Sequence, residues 1–252
     1  MRLKILGADG GVAPGFYTPS FLLNDNILID AGSAAGGLTL KQQRDIDYIF
    51  ISHSHLDHVK DICFLADNVF TSRRRPIELI STFEILDILR KHLFNNKMWP
   101  DFTTITNGHC PILSYRPVES HVQLGAIQVN VYPVHHPVPA VGFIVKERRK
   151  NSIVISGDTG PTDLLWEEAN KEPKLKAVFT EIAFPDRLTK IAHAAGHFTP
   201  GMFEAEMLKL KVKVPYFIYH LKPEYLQELK KEIKALGIRN LKLIKPEQRF
   251  TF

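Results

Sequence analysis

Between Tyr48 and His58 the chain runs Tyr48-Ile49-Phe50-Ile51-Ser52-His53-Ser54-His55-Leu56-Asp57-His58. Three histidines and one aspartate fall within six positions. Imidazole and carboxylate are the donor types of divalent-metal sites. His53 and His55 lie two apart, so on an extended strand end they point the same way. Asp57 and His58 follow where the chain should turn into a helix, and they can aim at a neighbouring point. The simplest geometry is one histidine pair gripping one ion and an Asp–His pair gripping a second. The bland alternative, a strand end with solvated histidines, leaves this density of ligand types unexplained.

The elements that position these residues follow from periodicity. The apolar run Tyr48 to Ile51 reads as a buried strand, and Val59 to Val69 places Ile62, Leu65, Ala66 and Val69 at a helical period. Residues 2–6 alternate as a half-exposed strand would. Residues 7–15 form a glycine-rich loop without the Lys-Ser/Thr or the spacing of a nucleotide fingerprint. Ser20 to Leu23 and Ile27 to Asp30 read as a hairpin, and Gly36-Gly37 should precede a short polar helix. Ser81-Thr82-Phe83-Glu84 resembles a capping box that opens a helix. Asn95 to Cys110 has few periodic cues and reads as a lid or rim. Strands are expected over 111–133, 140–145, 152–155, 177–182 and 215–219, with Leu241 to Ile244 as the final strand. Thr199-Pro200 is a good helix start, and Pro223 opens the last helix. Strand and helix alternate throughout, which makes the fold class α/β.

The chain has 252 residues, 44% hydrophobic and 23% charged, enough for a sizeable core in one large domain or two small ones. No apolar run approaches the roughly 20 residues of a membrane span. The N-terminus meets Asp9 and glycines too soon for a signal peptide, so a cytoplasmic protein is expected. Cys63 and Cys110 have no ligand-like neighbours, and Cys63 reads as a small core residue. The formal charge of +5 favours anionic partners such as nucleotides, nucleic acid or phosphoesters. The basic runs Arg73-Arg74-Arg75 and Lys146-Glu147-Arg148-Arg149-Lys150 read as solvated turns. Neither has interleaved aromatics for stacking single strands.

His-x-His-x-Asp-His is the signature of the metallo-β-lactamase superfamily, and the sequence resembles that family along nearly its whole length. Further landmarks follow in order: Asp30-Ala31-Gly32, His136, Ser156-Gly157-Asp158-Thr159 and His220. The resemblance implies a single domain over residues 1–252 with the family's αββα four-layer sandwich, and two divalent ions at one edge between the sheets. It assigns His53, His55 and His136 to the first ion, and Asp57, His58 and His220 to the second. Asp158 bridges them, a position that needs a carboxylate because one imidazole nitrogen cannot serve two ions. Zinc fits this donor set best, with manganese or iron as alternatives. His135 competes with His136. His136 is favoured because His136-Pro137-x-Pro139-x-x-Gly142-Phe143 resembles the pattern of the phosphodiesterase and tRNA-processing branches.

His197-Phe198-Thr199-Pro200 resembles the His-x-Thr loop that supplies a non-ligand catalytic histidine in the phosphodiesterases. His197 and Asp57 are therefore the expected catalytic residues, and Glu181 is expected to orient a ligand histidine. His193 is the weaker candidate of the same cluster. Glu181-Ile182-Ala183-Phe184-Pro185, Gly196-His197-x-Thr199-Pro200 and His220-x-Lys222-Pro223 together resemble class II cyclic nucleotide phosphodiesterases. The resemblance departs at Val59-Lys60-Asp61, where small residues are expected. It implies hydrolysis of 3′,5′-cyclic nucleotides, cAMP or cGMP, to 5′-nucleotides. Phe184, Phe16 and Tyr17 are candidates to stack the base. The expected partner is a small phosphodiester, with no membrane, nucleic acid disfavoured and a homodimer as one candidate assembly. The runner-up is a tRNA 3′-end processing endonuclease, disfavoured because only 22 positions separate His136 from Asp158. A metal-free scaffold on the same fold should have lost ligands, and here all seven positions are filled.

Overall fold

The computed structural model describes residues 1–148 and 151–252. Arg149 and Lys150, within the second basic run, lie outside them. Fourteen strands are found among the described residues: β1 (Arg2–Gly7), β2 (Ser20–Leu23), β3 (Ile27–Ile29), β4 (Tyr48–Phe50), β5 (Ile77–Ser81), β6 (Leu113–Pro117), β7 (His121–Leu124), β8 (Ile127–Pro133), β9 (Val141–Glu147), β10 (Ser152–Ile155), β11 (Leu175–Glu181), β12 (Tyr216–Tyr219), β13 (Leu241–Leu243) and β14 (Arg249–Thr251). They form two seven-stranded sheets, ordered β14-β1-β2-β3-β4-β5-β6 and β13-β12-β11-β10-β9-β8-β7. The helices are α1 (Ala34–Gly37), α2 (Leu40–Asp45), α3 (Leu56–Asn68), α4 (Phe83–His92), α5 (Leu164–Asn170), α6 (Thr189–Ala195), α7 (Pro200–Met207) and α8 (Leu226–Ala235).

The two sheets pack face to face. The Phe50 and Phe143 rings lie 6.0 Å apart and the Phe21 and Tyr219 rings 5.3 Å apart, each pair joining one sheet to the other. Alternate residues of the second sheet then point outward. Phe143, Val145 and Phe179 belong to the inner core, whereas Ile144 and Val178 join Trp166, Phe203 and Leu229 of the helices that cover the outer face. Strands buried on both faces lose the polar alternation of a half-exposed strand, so they read as continuous apolar runs. With α3 and α4 outside the first sheet, the order is helix, sheet, sheet, helix, the four-layer α/β sandwich expected from the sequence.

Several local expectations fail for physical reasons. Gly36 and Gly37 do precede the short polar helix, α2, but they also close a helix of their own, α1. The capping box is found at Thr39 and Gln42, with both reciprocal bonds made. At α4 the N-cap Thr82 makes no side-chain capping bond. Ser81 is instead the last residue of β5, and its hydroxyl donates to the Ile51 carbonyl at 2.6 Å. The final strand is β14, which pairs antiparallel with β1. Arg73 is not a solvated turn residue. It is buried, and its guanidinium donates to the carbonyls of Arg44, Ile46, Arg75 and Pro76. Those bonds peg the loop after α3 to the end of α2. Cys63 is buried as expected, and burial pushes its thiol up to about 12. No helix among the described residues is long and apolar enough to cross a membrane.

Candidate metal centre

The centre forms where β4 hands over to α3. Ser52 and His53 continue from the strand, His55 is the N-cap of α3, and Asp57 and His58 occupy its first turn. A carboxylate is favourable in a first helical turn, beside the unpaired N–H groups. The loop holding Asp30 runs against this turn. A Cβ on Gly32 would lie 1.7 Å from the Asp57 carbonyl oxygen, so only glycine allows that approach.

The second sheet supplies the rest. His136 follows β8, Asp158 follows β10, His220 follows β12, and His197 follows α6. Gly196 closes α6 in the left-handed conformation, φ 65°. A Cβ there would lie 2.9 Å from the His136 Cα. That close approach lets the Gly196 carbonyl accept the His136 Nδ1 proton at 3.1 Å.

All seven residues expected as ligands come together, in two groups. His53, His55 and His136 form one; Asp57, His58, Asp158 and His220 form the other; within each, one donor atom per residue lies within 4.8 Å of the rest. His136 Nε2 is 3.3 Å from His55 Nδ1. Asp158 Oδ2 is 3.1 Å from His220 Nε2, 3.2 Å from His58 Nε2 and 3.8 Å from His53 Nε2, so it reaches both groups. Asp57 Oδ2 lies 3.2 Å from His220 Nε2. His135 is exposed and stays outside both groups, as does His193 on the exposed side of α6.

The donor set fits divalent cations on its own evidence. His53 Nε2, His58 Nε2 and Asp158 Oδ1 are buried with no hydrogen-bond partner. Three orphaned donors at one point are costly unless a ligand completes them. The tautomers agree. Asp30 Oδ2 accepts from His58 Nδ1 at 2.7 Å and from the Ser52 hydroxyl at 2.7 Å, while Asp30 Oδ1 accepts from the Ser52 N–H at 2.8 Å. With its proton on Asp30, the Ser52 oxygen is free to accept from His53 Nδ1, 3.0 Å away. In the neutral form both imidazoles therefore turn Nε2, the unprotonated nitrogen, inward. Asp30 itself has φ 56°, an uncommon strain for a non-glycine residue.

The charges follow burial and partners. Burial pushes the Asp57 and Asp158 carboxyls up, but His220 and His58 outweigh it and hold both well below the usual range. Burial lowers His53, His55 and His136, the last to about 4.

Glu181, at the end of β11, differs from its expected role. Its Oε1 accepts from His197 Nδ1 at 2.7 Å and from the Thr159 N–H at 3.1 Å. It thus orients the histidine set apart from the ligands. That histidine stands within 4.8 Å of donor atoms of His136 and Asp158, and its ring stacks at 5.2 Å on His220. Asp30-Ala31-Gly32 stands out in the sequence, but nothing there marks the support that Asp30 gives through Ser52.

A profile of the beta-lactamase superfamily domain matches residues 25–218. The chain belongs to that superfamily. A 3′,5′-cyclic-nucleotide phosphodiesterase of Aliivibrio fischeri is 25% identical, over 96% of this chain and 89% of its own length. The crystal structure of unliganded yeast PDE1 superposes with a TM-score of 0.81 at 18% identity, over 98% of both chains. The short form of human tRNase Z gives 0.71 at 18% identity, over 100% of this chain and 99% of the other. The superfamily's metallo-β-lactamase fold is that of metal-dependent hydrolases. At such identities the two solved structures speak for the fold alone.

Proposed function

We propose that the chain is a two-metal phosphodiesterase, one domain over residues 1–252, that hydrolyses 3′,5′-cyclic nucleotides to 5′-nucleotides in the cytoplasm. The observation that carries this is the sharing of Asp158 between two ligand groups, with the His197–Glu181 pair at their edge. His53, His55 and His136 would hold one cation and Asp57, His58 and His220 the other, with Asp158 between them. Zinc suits the donors best, and manganese or iron accept the same set. Cations there supply Lewis acidity toward phosphoryl oxygens and lower the pKa of a water from about 15.7 toward about 7.

The chain's own residues do the rest. Asp30 and Ser52 take the Nδ1 protons, so Nε2 is the nitrogen that His58 and His53 turn toward a cation. Asp57 keeps part of its carboxylate open to solvent, with 31% side-chain exposure, and can orient the attacking water. His197 has Nδ1 committed to Glu181 and Nε2 left for the substrate. It is suited to protonate the departing ribose 3′ oxygen. The name of the Aliivibrio relative supports this substrate class. The tRNA-processing alternative has the tRNase Z likeness in its favour. Against it, only 22 positions separate His136 from Asp158, leaving no room for a long RNA-gripping insertion.

A substrate panel on metal-loaded protein tests the reading: cAMP, cGMP, a 2′,3′-cyclic nucleotide, a pre-tRNA and a β-lactam. Trimming of pre-tRNA with both 3′,5′-cyclic nucleotides left intact would replace it. The same assay examines His197. A ribose alkoxide needs a proton to leave and a nitrophenolate needs little help. His197→Ala should lower cyclic nucleotide turnover about 10²–10⁴-fold and bis(p-nitrophenyl) phosphate turnover much less, with both metals retained. Equal loss on both substrates would assign His197 to charge stabilisation instead.

A further inference from the structure

We infer that Lys222 is a further binding residue of this site, the cation that takes an anionic oxygen of the substrate's phosphodiester. The inference rests on the phosphodiesterase reading and deepens it. Lys222 stands two residues beyond His220. Its ammonium lies over the Phe184 ring, 5.1 Å from the centroid. The Phe184 ring lies 5.8 Å from that of His197, which stacks on His220 at 5.2 Å. An unbroken line of contacts therefore joins the ammonium to the second ligand group.

The ammonium lacks the partner that its position calls for. Among the described residues Lys222 forms no ion pair, and its one hydrogen bond, to the Gly10 carbonyl, is 3.5 Å long. That length is at the outer limit of a hydrogen bond. Other partly covered lysines are matched with carboxylates: Lys4 with Glu247, Lys60 with Asp61, and Lys209 with Glu206 and Asp163. Withdrawing an ammonium from water costs free energy that a partner normally offsets. At Lys222 the ring face holds the stem in place, and the ammonium keeps donors uncommitted beside a centre that recruits anions. A phosphodiester monoanion completes them. Phe184 is only 9% exposed, so its part here is to carry the lysine rather than to stack a base.

The substrate's negative charge is present before and during the reaction, so Lys222 contributes binding common to both states and its loss falls on KM rather than kcat. The test uses the full-length, metal-loaded protein with bis(p-nitrophenyl) phosphate as substrate and inorganic phosphate as competitive inhibitor. Lys222→Met keeps the apolar stem. It should raise both KM and the phosphate inhibition constant by roughly 10- to 100-fold, the worth of one hydrogen bond to a charged group. The kcat should stay within about threefold and the metal content should not change, while Lys222→Arg should recover most of the affinity. Values of KM and inhibition constant within about twofold of the wild type overturn the inference.

A second measurement reads the wild-type protein and needs only the conservative arginine variant to assign the signal. In wild-type protein labelled with 13C at lysine Cε, the Lys222 resonance is identified by its absence from Lys222→Arg. It should move as inorganic phosphate is added, and a stationary resonance overturns the inference. Neither probe contains a nucleotide. A protein that cleaves bis(p-nitrophenyl) phosphate but no cyclic nucleotide would end the cyclic nucleotide reading while leaving the Lys222 result intact.

Discussion

The two ligand groups that share Asp158 differ in chemistry and in shelter. His53, His55 and His136 are three neutral imidazoles, of which His55 is exposed and His136 half-buried. Asp57, His58, Asp158 and His220 combine two carboxylates with two imidazoles, and all but Asp57 are buried. Two carboxylates can balance the charge of a divalent cation in a dry setting, where an unbalanced charge is costly. The first group has no carboxylate of its own. Asp158 lies 3.8 Å from His53 Nε2 and Asp57 acts on His55, so the anions that reach it belong to the second group. The more exposed group thus depends on an anion anchored in the more buried one.

The largest effect should come from removing that shared anion. Asp158→Ala removes the carboxylate that acts on His53 and His136 and leaves only the part-exposed Asp57 beside His55, so the first group should lose its ion. The second group keeps Asp57, His58 and His220, so elemental analysis should find at most one ion per chain where the wild type holds two. Turnover of bis(p-nitrophenyl) phosphate should fall by more than about 10³-fold, since charge stabilisation in such sites is usually the largest contribution. Two ions retained would break the dependence of one group on the other.

A smaller effect should come from Asp30, which supports one ligand of each group: His58 directly and His53 through Ser52. Its two oxygens accept three hydrogen bonds. Asparagine would replace one acceptor by a donor. Asp30→Asn should weaken both ions by about 10–100-fold, the usual cost of losing a bond that orients a ligand, read by competition with a chelator. Weakening of one ion alone would show that the groups are supported separately.

Much of the centre could be read from the chain because its information is local. Strand spacing aims His53 and His55 together, and the strand-to-helix turn presents Asp57 and His58, all within six positions. The alternation of strand and helix carried only the α/β class, and the order of the layers came from the family resemblance. Long-range contacts were not legible. Asp30 and Ser52 become neighbours only because β3 and β4 pair in parallel, and a left-handed aspartate carries no sequence mark. Glu181 was read as the partner of a ligand histidine. Only the turn at Gly196, which brings His197 back over β11, directs its carboxylate to His197. The C-terminal strand β14 is three residues long, and two of the three are polar, too weak a pattern to register. Arg73 looked like a surface charge because two of the four carbonyls that bind it, those of Arg44 and Ile46, are far away in the chain.

The smallest effect is counted in protons, and it separates the two groups most sharply. In the metal-free protein burial lowers all three imidazoles of the first group. His136 goes to about 4, although the Gly196 carbonyl and Asp158 work against the shift. These side chains are neutral at pH 7 and have no proton to give up when a cation binds. His58 goes the other way: burial lowers it, but Asp158 and Asp30 outweigh burial and lift it well above its ordinary value near 6.5. A cation in the second group must displace that proton. The same shifts act oppositely on the stability of the metal-free fold. The unfolded chain protonates His136 near 6.5 and the folded chain only near 4. Between those values the unfolded state binds more protons, so His136 subtracts stability as pH falls through that window. His58 adds stability that is fully present below about 6.5 and is lost as pH rises through its raised folded value. Calorimetric titration at pH 7 in two buffers of different ionisation enthalpy separates the groups, with zinc added to His220→Ala, which leaves the first group complete, and to His136→Ala, which leaves the second. The first should release close to no protons and the second about one per ion. Equal release from the two variants would mean that carboxylate pairing, and not burial, sets the protonation of every histidine in the centre.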